Sequence, residues 1–471
     1  MTDDQHLFAD AQPVPHPTVA ERTAAGRAAR KRLPRSAHAG WTPPADRPDP
    51  VALVLGQEET RVADLLPIRH ERMLASPFAF YRGAAIVMAS DLATRPNSGL
   101  TVQLCGDAHV ANFGGFLAPD RTTVFDVNDF DETHPGPFEW DVMRLAASLV
   151  LAAQAIGCPP DRCREIAARS VASYRRAMTE FAAMRTLDVW YARLDAEGVM
   201  ARAEGEVTRG ETKRFQQNLQ RSSGKDNLKA LAKLTETVDG EVRFRSDPPL
   251  VTPLRDLAHL LAPDEDPVGW IHQNLRSYRT TLPDDRRHLL EQFRLVDAAR
   301  KVVGVGSVGT RCWIVLMLGR DDTDPLVLQI KEAQASVLEP YTHRSRFANH
   351  GQRVVQGQRL LQASSDVMLG WMRTKSLEGA DTDFYVRQLW DGKFSVDLEH
   401  ARPGPLAVNG ELCGWMLARG HARSGDRIAI AAYLGSSDVF DRAITDFAED
   451  YARQAVVDHA AFARTLGVAI P

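Results

Sequence analysis

The sequence predicts an α+β protein in which a helical part comes first and a β-rich part second. Three observations carry that expectation. From "RVADLLPIRHERMLASPFAFYRGAAIVMASDLA" to about residue 235, apolar residues recur at helical spacing. From residue 297, "DAARKVVGVGSVGTRCWIVLMLGRDDTDPLVLQIKEA" reads as strand, glycine turn, strand, polar turn, strand. After residue 406, helical patterns return and close the chain.

Bulk properties bound the answer. At 471 residues the chain is long for one core, so two or three units are expected. A composition of 44% hydrophobic and 25% charged residues is that of an ordinary globular chain and excludes wholesale disorder or a fibre. Lys and Arg number 57 against 61 Asp and Glu, a net charge of −4, so no global field marks a nucleic-acid or membrane-surface binder. The five cysteines have no paired spacing of the kind a zinc site needs, and they read as reduced thiols of a cytoplasmic protein. No apolar signal region opens the chain and no run approaches eighteen uninterrupted apolar residues, so neither secretion nor membrane spanning is expected.

In order along the chain, residues 1–50 mix Pro, Ala, Arg and Asp without sustained periodicity and are expected to form a mobile arm. Residues 51–295 form the helical part. Its first helices are broken at Pro67 and Pro77, and a turn at 96–99 leads into a short strand, "LTVQLCG". A second strand, "TTVFDVNDFD", precedes long helices, one of which, "PDRCREIAARSVASYRRAMTEFAAM", has Pro near its start as a helix entry. An insertion is expected near 195–255, charged at first and then extended around a Pro pair, and acceptor specificity is expected there. Residues 296–405 carry the β-rich part: the glycine-turn strands, a helix around "GQRVVQGQRLLQASSD", and strands "DFYVRQLWD" and "GKFSVDLE". Residues 406–471 supply closing helices expected to pack on the helical part.

Two constellations could carry chemistry. In "QLCGDAHVANFGGF", Asp107, His109 and Asn112 leave a strand; Asp126, Asp129 and Asp131 lie on or just after the second. If those strands neighbour one another, the acids converge with an amide oxygen, a hard-oxygen set that suits Mg²⁺ better than zinc. Turn chemistry around "NDFDETHPGP" explains any one of these acids, but not the apolar strands that hold them all. The second constellation is "GVGSVG", with Gly304, Gly306, Ser307 and Gly309. Such a turn lets backbone amides approach phosphate. The strand after it rules out a βαβ dinucleotide fingerprint. Lys331 then ends the apolar strand "LVLQIKEA", like the lysine of the kinase "VAIK" strand, the bland alternative being a tight hairpin with a surface lysine.

The series "GDAHVAN", "NDFDE" and "DVMRLAASL" resembles the core of the aminoglycoside and choline kinase branch of the protein-kinase-like superfamily, where "HGDxHxxN" precedes an "IDFxD" strand and an Asp-headed helix. That resemblance implies a two-lobed kinase-like fold and an ATP- and Mg²⁺-dependent transferase. Asp107 would act on the acceptor hydroxyl, with His109 and Asn112 in the same catalytic loop. Asn112, Asp129 and Asp131 would hold metal, the glycine turn and Lys331 would grip the nucleotide, and Asp141 would lie beneath the loop. Cys105 stands where the family has His. Because the glycine turn and Lys331 follow the catalytic loop here, the order implies a circular permutation, helical lobe first and nucleotide lobe second. The acid that should hold Lys331 is expected to be Glu339. Over nearly its whole length the chain is also similar to the bacterial family called domain of unknown function 2252, through "FYRGAA", "CGDAHVANFG", "DVNDFDE", "VGVGSVGTR" and "GHARSGD".

Several alternatives stay open at this level. Phosphoryl and adenylyl transfer use the same cradle with the nucleotide turned around. The acceptor, small molecule or protein, is not written in the motifs. A catalytically silent nucleotide binder and a metal-dependent phosphohydrolase are the competing functions, the latter lacking its further "GNH" or "GHxH" blocks. His421, Arg423 and Asp426 could edge a site or merely end a helix capped by Gly425. Arg82 could clamp phosphate or pair with a buried Asp.

Overall fold

A computed structural model describes residues 15–205, 208, 210, 212–213, 216–217, 232–260, 267–302, 304–377, 379–389, 397–398 and 400–469. The protein is mixed α+β, with helix predominating and several sheets. The expected strand "GKFSVDLE", except for Asp397 and Leu398, and most of the charged stretch 204–231 lie outside the described residues.

The helical core is built around α5 (Phe138–Ala155), in which every residue from Phe138 to Ala153 is buried. A helix buried on every side has to sit inside other elements, and this one does, with its few polar side chains such as Asp141 and Arg144 hydrogen-bonded. Against it lie α6 (Pro160–Ala183) and two helices from the end of the chain, α8 (Pro403–Ser424) and α10 (Val439–Thr465). Helix α10 presents Phe440, Ile444, Phe447, Tyr451 and Ala455 at three- and four-residue spacing. Helices α6 and α8 approach closely because Gly414 has no side chain: a Cβ there would stand 2.2 Å from the Ser170 carbonyl oxygen. Among the described residues no helix is long and apolar enough to cross a membrane.

Within the described part of the expected arm, residues 15–50, the chain is helical and packed. Thr18 and Glu21 form a capping box that opens α1 (Val19–Arg32), and this helix packs on α9 (Arg427–Leu434). Arg47 then reaches Asp91 at 2.8 Å and Asp458 at 2.7 Å, pinning the segment to the core. The contact face of α1 is made of small residues, buried Gly26 and Ala29, so no apolar stripe announced it. A Cβ at Gly26 would stand 2.1 Å from the Ala429 carbonyl oxygen. Gly26→Ala is therefore expected to destabilise the fold by about 1–3 kcal/mol, read from urea unfolding.

The β-rich part is a six-stranded antiparallel sheet in the order β12-β13-β11-β10-β9-β8, comprising β8 (Val251–Pro253), β9 (Arg294–Lys301), β10 (Cys312–Leu318), β11 (Pro325–Glu332), β12 (Gly370–Lys375) and β13 (Asp381–Gln388). Strands β10 and β11 are buried along their whole length. Alternation divides β10 between two clusters, Trp313, Val315 and Met317 on one face and Ile314 and Leu316 on the other. Helix α7 (His350–Leu361) follows β11 and packs on β12 and β13. Its Val354, Val355 and Leu361 belong to the same apolar cluster as α5, which joins sheet to helices. Within the expected insertion, β6 (Thr235–Val238) and β7 (Glu241–Phe244) form a hairpin across Asp239 and Gly240, both at positive φ as a two-residue turn demands. Strand β8, still inside that insertion, extends the sheet at β9.

The strands that carry the acids are not neighbours, contrary to the hairpin-like arrangement the sequence suggested. Strand β1 (Thr101–Leu104) pairs with β4 (His134–Pro137), while β2 (Phe113–Leu117) pairs with β3 (Thr123–Val127). The acids converge through the loops between these small sheets.

Candidate active site

The loop after β1 is fastened from below. Asp141, in the first turn of α5, accepts from the Cys105 amide at 2.8 Å and the Gly106 amide at 3.1 Å. His421 meets the same carboxylate at 3.2 Å, and its other ring nitrogen meets the Tyr174 hydroxyl at 2.9 Å. His421 is thus buried support for the loop. Asp426 caps α9 through the amides of Ile428 and Ala429, and Arg423 binds carbonyl oxygens of Arg359 and Leu360. Gly106 stands at φ +84°, and a Cβ there would meet the Glu132 carbonyl oxygen at 2.2 Å. Only glycine allows both the turn and that approach.

Above this base the loop closes on itself. The Asn112 side-chain amide donates to the Asp107 carbonyl at 2.8 Å, and its backbone amide donates to the His109 carbonyl at 2.8 Å. Asp107 accepts from Arg144 Nε of α5 at 2.5 Å and keeps 18% of its side chain exposed. Burial pushes the Asp107 carboxyl above its ordinary range against the pull of Arg144, which favours proton acceptance. His109 is only 3% exposed, and burial with the charges of Arg82 and Arg144 holds it well below the usual imidazole range. Its Nε2 lies 3.6 Å from Asp107, too far for a hydrogen bond.

The second acidic segment is stitched to the first by the Asn128 amide, which donates to the Asn112 carbonyl at 2.8 Å. Asp126 does not join the site. It sits inside β3 and accepts from Arg419 of α8 at 2.6 and 2.5 Å. Past the strand end, Asp129, Asp131 and Glu132 line the cleft. Glu132 accepts from the Val337 amide at 2.7 Å, and burial pushes its carboxyl up to about 7. Between pH 4.5 and 7 the folded chain therefore binds more protons here than the unfolded one, so this contribution is full below pH 4.5 and lost as pH rises through 7. Glu132→Gln is expected to gain on the order of 3 kcal/mol relative to wild type at pH 8, and far less at pH 4.5, in urea titrations at the two pH values.

The far half of the chain supplies the opposite wall. Val305–Ser307 form a short helical turn, and the Ser307 hydroxyl donates to Asp131 at 3.2 Å. Gly309 lies at φ +89° with Arg61 packed against it. Carbonyls of the turn face donors outside it: the Gly309 oxygen accepts from the Val62 amide at 2.8 Å and the Gly306 oxygen from Arg69 at 3.3 Å. Lys331, only 3% exposed, pairs with Asp131 and stands 3.6 Å from Asp129. Burial alone would lower the ammonium, but Asp129 and Asp131 outweigh it and hold it well above its ordinary value, so it stays charged.

This corrects the expectation for Glu339, which instead accepts from the Ser345 amide at 3.1 Å; the carboxylates on Lys331 come from "NDFDE". Asp131 is held a third time, by the Tyr385 hydroxyl at 2.8 Å. Sequence reasoning also missed Arg353 of α7, whose guanidinium donates to the carbonyls of Asp131, Thr133 and Gln334 at 2.8, 2.6 and 2.8 Å. A buried arginine bonded to backbone carbonyls has no sequence signature.

Asp107, His109, Asn112, Asp129, Asp131, Gly304, Gly306, Ser307 and Lys331 all line one cleft of about 960 Å³. Gln388 and Leu389, at the end of β13, line the same cleft. The donor set fits Mg²⁺ in part. Asn112 offers an amide oxygen and Asp129 a carboxylate, both hard donors, though that carboxylate also accepts from the Asp131 amide at 3.3 Å and stands 3.6 Å from Lys331; Asp131 is held by an ammonium and two hydroxyls. Among the described residues no cluster of three or more His, Cys, Asp or Glu side chains is placed to hold a metal. Mg²⁺ here would complete its shell with water and ligand oxygens, as it commonly does.

A family model described as "Uncharacterized protein conserved in bacteria (DUF2252)" matches residues 61–465. No curated protein and no solved structure matches the chain.

Proposed function

We propose that this chain, which belongs to the uncharacterised bacterial family DUF2252, is an ATP- and Mg²⁺-dependent transferase of kinase-like build. The observation that carries the reading is the shared cleft, lined by Asp107 and Asp129 from the first third of the chain and by Ser307 and Lys331 from its second half. A desolvated cation within reach of the acids and beside a glycine turn is suited to a polyphosphate.

In this reading α5, α6, α8 and α10 form the helical lobe, and the six-stranded sheet with α7 forms the nucleotide lobe. The order is that of a circular permutation. Helix α7 follows the lysine strand β11 as a helix follows the lysine strand of protein kinases. The carboxylate that kinases place on that helix is supplied instead by Asp131, and α7 grips the acidic segment through Arg353. Gln388 and Leu389 mark the base end of the cleft.

Asp107 takes the proton of an acceptor hydroxyl as its oxygen attacks phosphorus and the bond to the leaving phosphate oxygen breaks. Arg144 fixes that carboxylate, and Asn112 closes the loop beneath it. Lys331 and the glycine turn hold the phosphates in line, so positioning supplies most of the rate. Mg²⁺, held by Asn112 and Asp129, would neutralise phosphate charge.

A nucleotide thermal-shift series with and without Mg²⁺ tests the reading. Mg·ATP at a hundred times its dissociation constant is expected to stabilise the fold by about 2.7 kcal/mol. No shift with any nucleotide contradicts it. ATP labelled at the α or the γ phosphate then distinguishes adenylyl from phosphoryl transfer.

A further inference from the structure

We infer that the turn joining α9 to α10 is a second anion site, which holds a phosphate group between Arg30 and Arg35. None of its residues lines the cleft, so the inference stands apart from the transferase reading.

The turn, residues 435–438, opens on Gly435 at φ +65°. A Cβ on Gly435 would stand 2.7 Å from Arg30 Nη1 and 3.1 Å from Arg35 Nη1. Both guanidinium groups therefore lie against this one residue and beside each other, in space that glycine leaves open. The packing of the N-terminal segment puts them there. Helix α1 lies on α9 through Gly26 and Ala29, and Arg30 belongs to its last turn. Arg35 opens the short helical turn Arg35–His38 that follows, and its Nη1 donates to the Leu434 carbonyl at the end of α9.

Neither arginine is paired with a carboxylate. Among the described residues Arg30 makes no hydrogen bond or ion pair, and Arg35 bonds only to a carbonyl oxygen. The two acids of this corner are held by other cations: Asp441 accepts from Arg175 at 2.8 Å, and Asp438 pairs with Arg442 at 3.3 Å. Arg30 and Arg35 are half-buried, so their charges are screened less than those of freely exposed side chains. Two like charges side by side repel, and an anion between them removes that repulsion. The other groups at the turn are donors as well. The Ser436 carbonyl is taken by Arg175 at 3.1 Å, whereas the Ser436 and Ser437 hydroxyls are exposed and have no partner among the described residues. Guanidinium forks and hydroxyls match the acceptor-only oxygens of a phosphate, and two positive charges match a dianion better than chloride.

The test titrates inorganic phosphate into the full chain by calorimetry at constant ionic strength, for wild type, Arg30→Gln, Lys31→Gln and Ser436→Asp. Wild type is expected to bind with a dissociation constant of about 1 mM or below. Arg30→Gln is expected to weaken binding about tenfold or more, and Lys31→Gln, which removes an exposed cation one residue away, by less than about twofold. Ser436→Asp sets a carboxylate beside the arginines at an exposed position. It should abolish binding and raise the melting temperature, and it decides the matter if Arg30→Gln does not fold. Glycerol 2-phosphate is run alongside: binding as tight as that of phosphate assigns the site to phosphate esters, and binding of phosphate alone assigns it to the free ion. No saturation by about 10 mM phosphate would overturn the inference, as would equal losses in Arg30→Gln and Lys31→Gln. Phosphate bound only in the cleft would be unmoved by all three substitutions, which overturns the inference and leaves the transferase reading intact.

Discussion

Asp107→Asn is expected to lower transfer by about 100- to 10,000-fold while leaving Mg·ATP affinity nearly unchanged, because the substitution removes a proton acceptor and keeps the loop's shape. The asparagine oxygen can still accept from Arg144, whose Nη2 also stays on the Tyr81 carbonyl. Stability should nonetheless fall, since Arg144 is buried and loses its countercharge. Activity is therefore to be compared per folded molecule, with melting measured alongside. Loss of nucleotide binding in this variant would mean that Asp107 holds the nucleotide, and its role as base would be wrong.

Lys331→Met should do the reverse. The ammonium is the buried cation that bridges the acidic segment and the lysine strand, and a charged hydrogen bond to phosphate is worth roughly 1.5–3 kcal/mol. Affinity for Mg·ATP is expected to fall by about 10- to 100-fold, read by calorimetry. Methionine fills similar space among the β10 and β13 side chains, and Asp131 keeps the Tyr385 and Ser307 hydroxyls, so the sheet should survive. Unchanged affinity would remove Lys331 from the phosphate site.

Each of these two variants touches a half of the cleft that is legible in the sequence. The apolar strands around "GDAHVAN" and "NDFDE", the glycine turn and Lys331 all announced themselves, since strand alternation and glycine spacing are local signals. What joins them is not local. The partner of Lys331 was sought near it, at Glu339, but the carboxylate comes from Asp131 in the other half of the chain. The bridging arginines Arg69, Arg144 and Arg353 bond mostly to carbonyl oxygens, which every residue carries, so no pairing rule points to them. Asp126 shows the opposite failure. It looks like its neighbours Asp129 and Asp131, yet its place inside β3 aims it at Arg419 of α8. Helix α1 was missed for another reason: Gly26 and Ala29 pack by being small, and a small-residue contact leaves no apolar stripe.

Whether residues near 107–131 and near 304–331 serve one nucleotide is best read by hydrogen–deuterium exchange of the full chain with and without Mg·ATP. Both segments, "NDFDE" and the glycine turn, should gain protection together, at the same nucleotide concentration. Protection of one segment alone, or of neither, would contradict a shared nucleotide site.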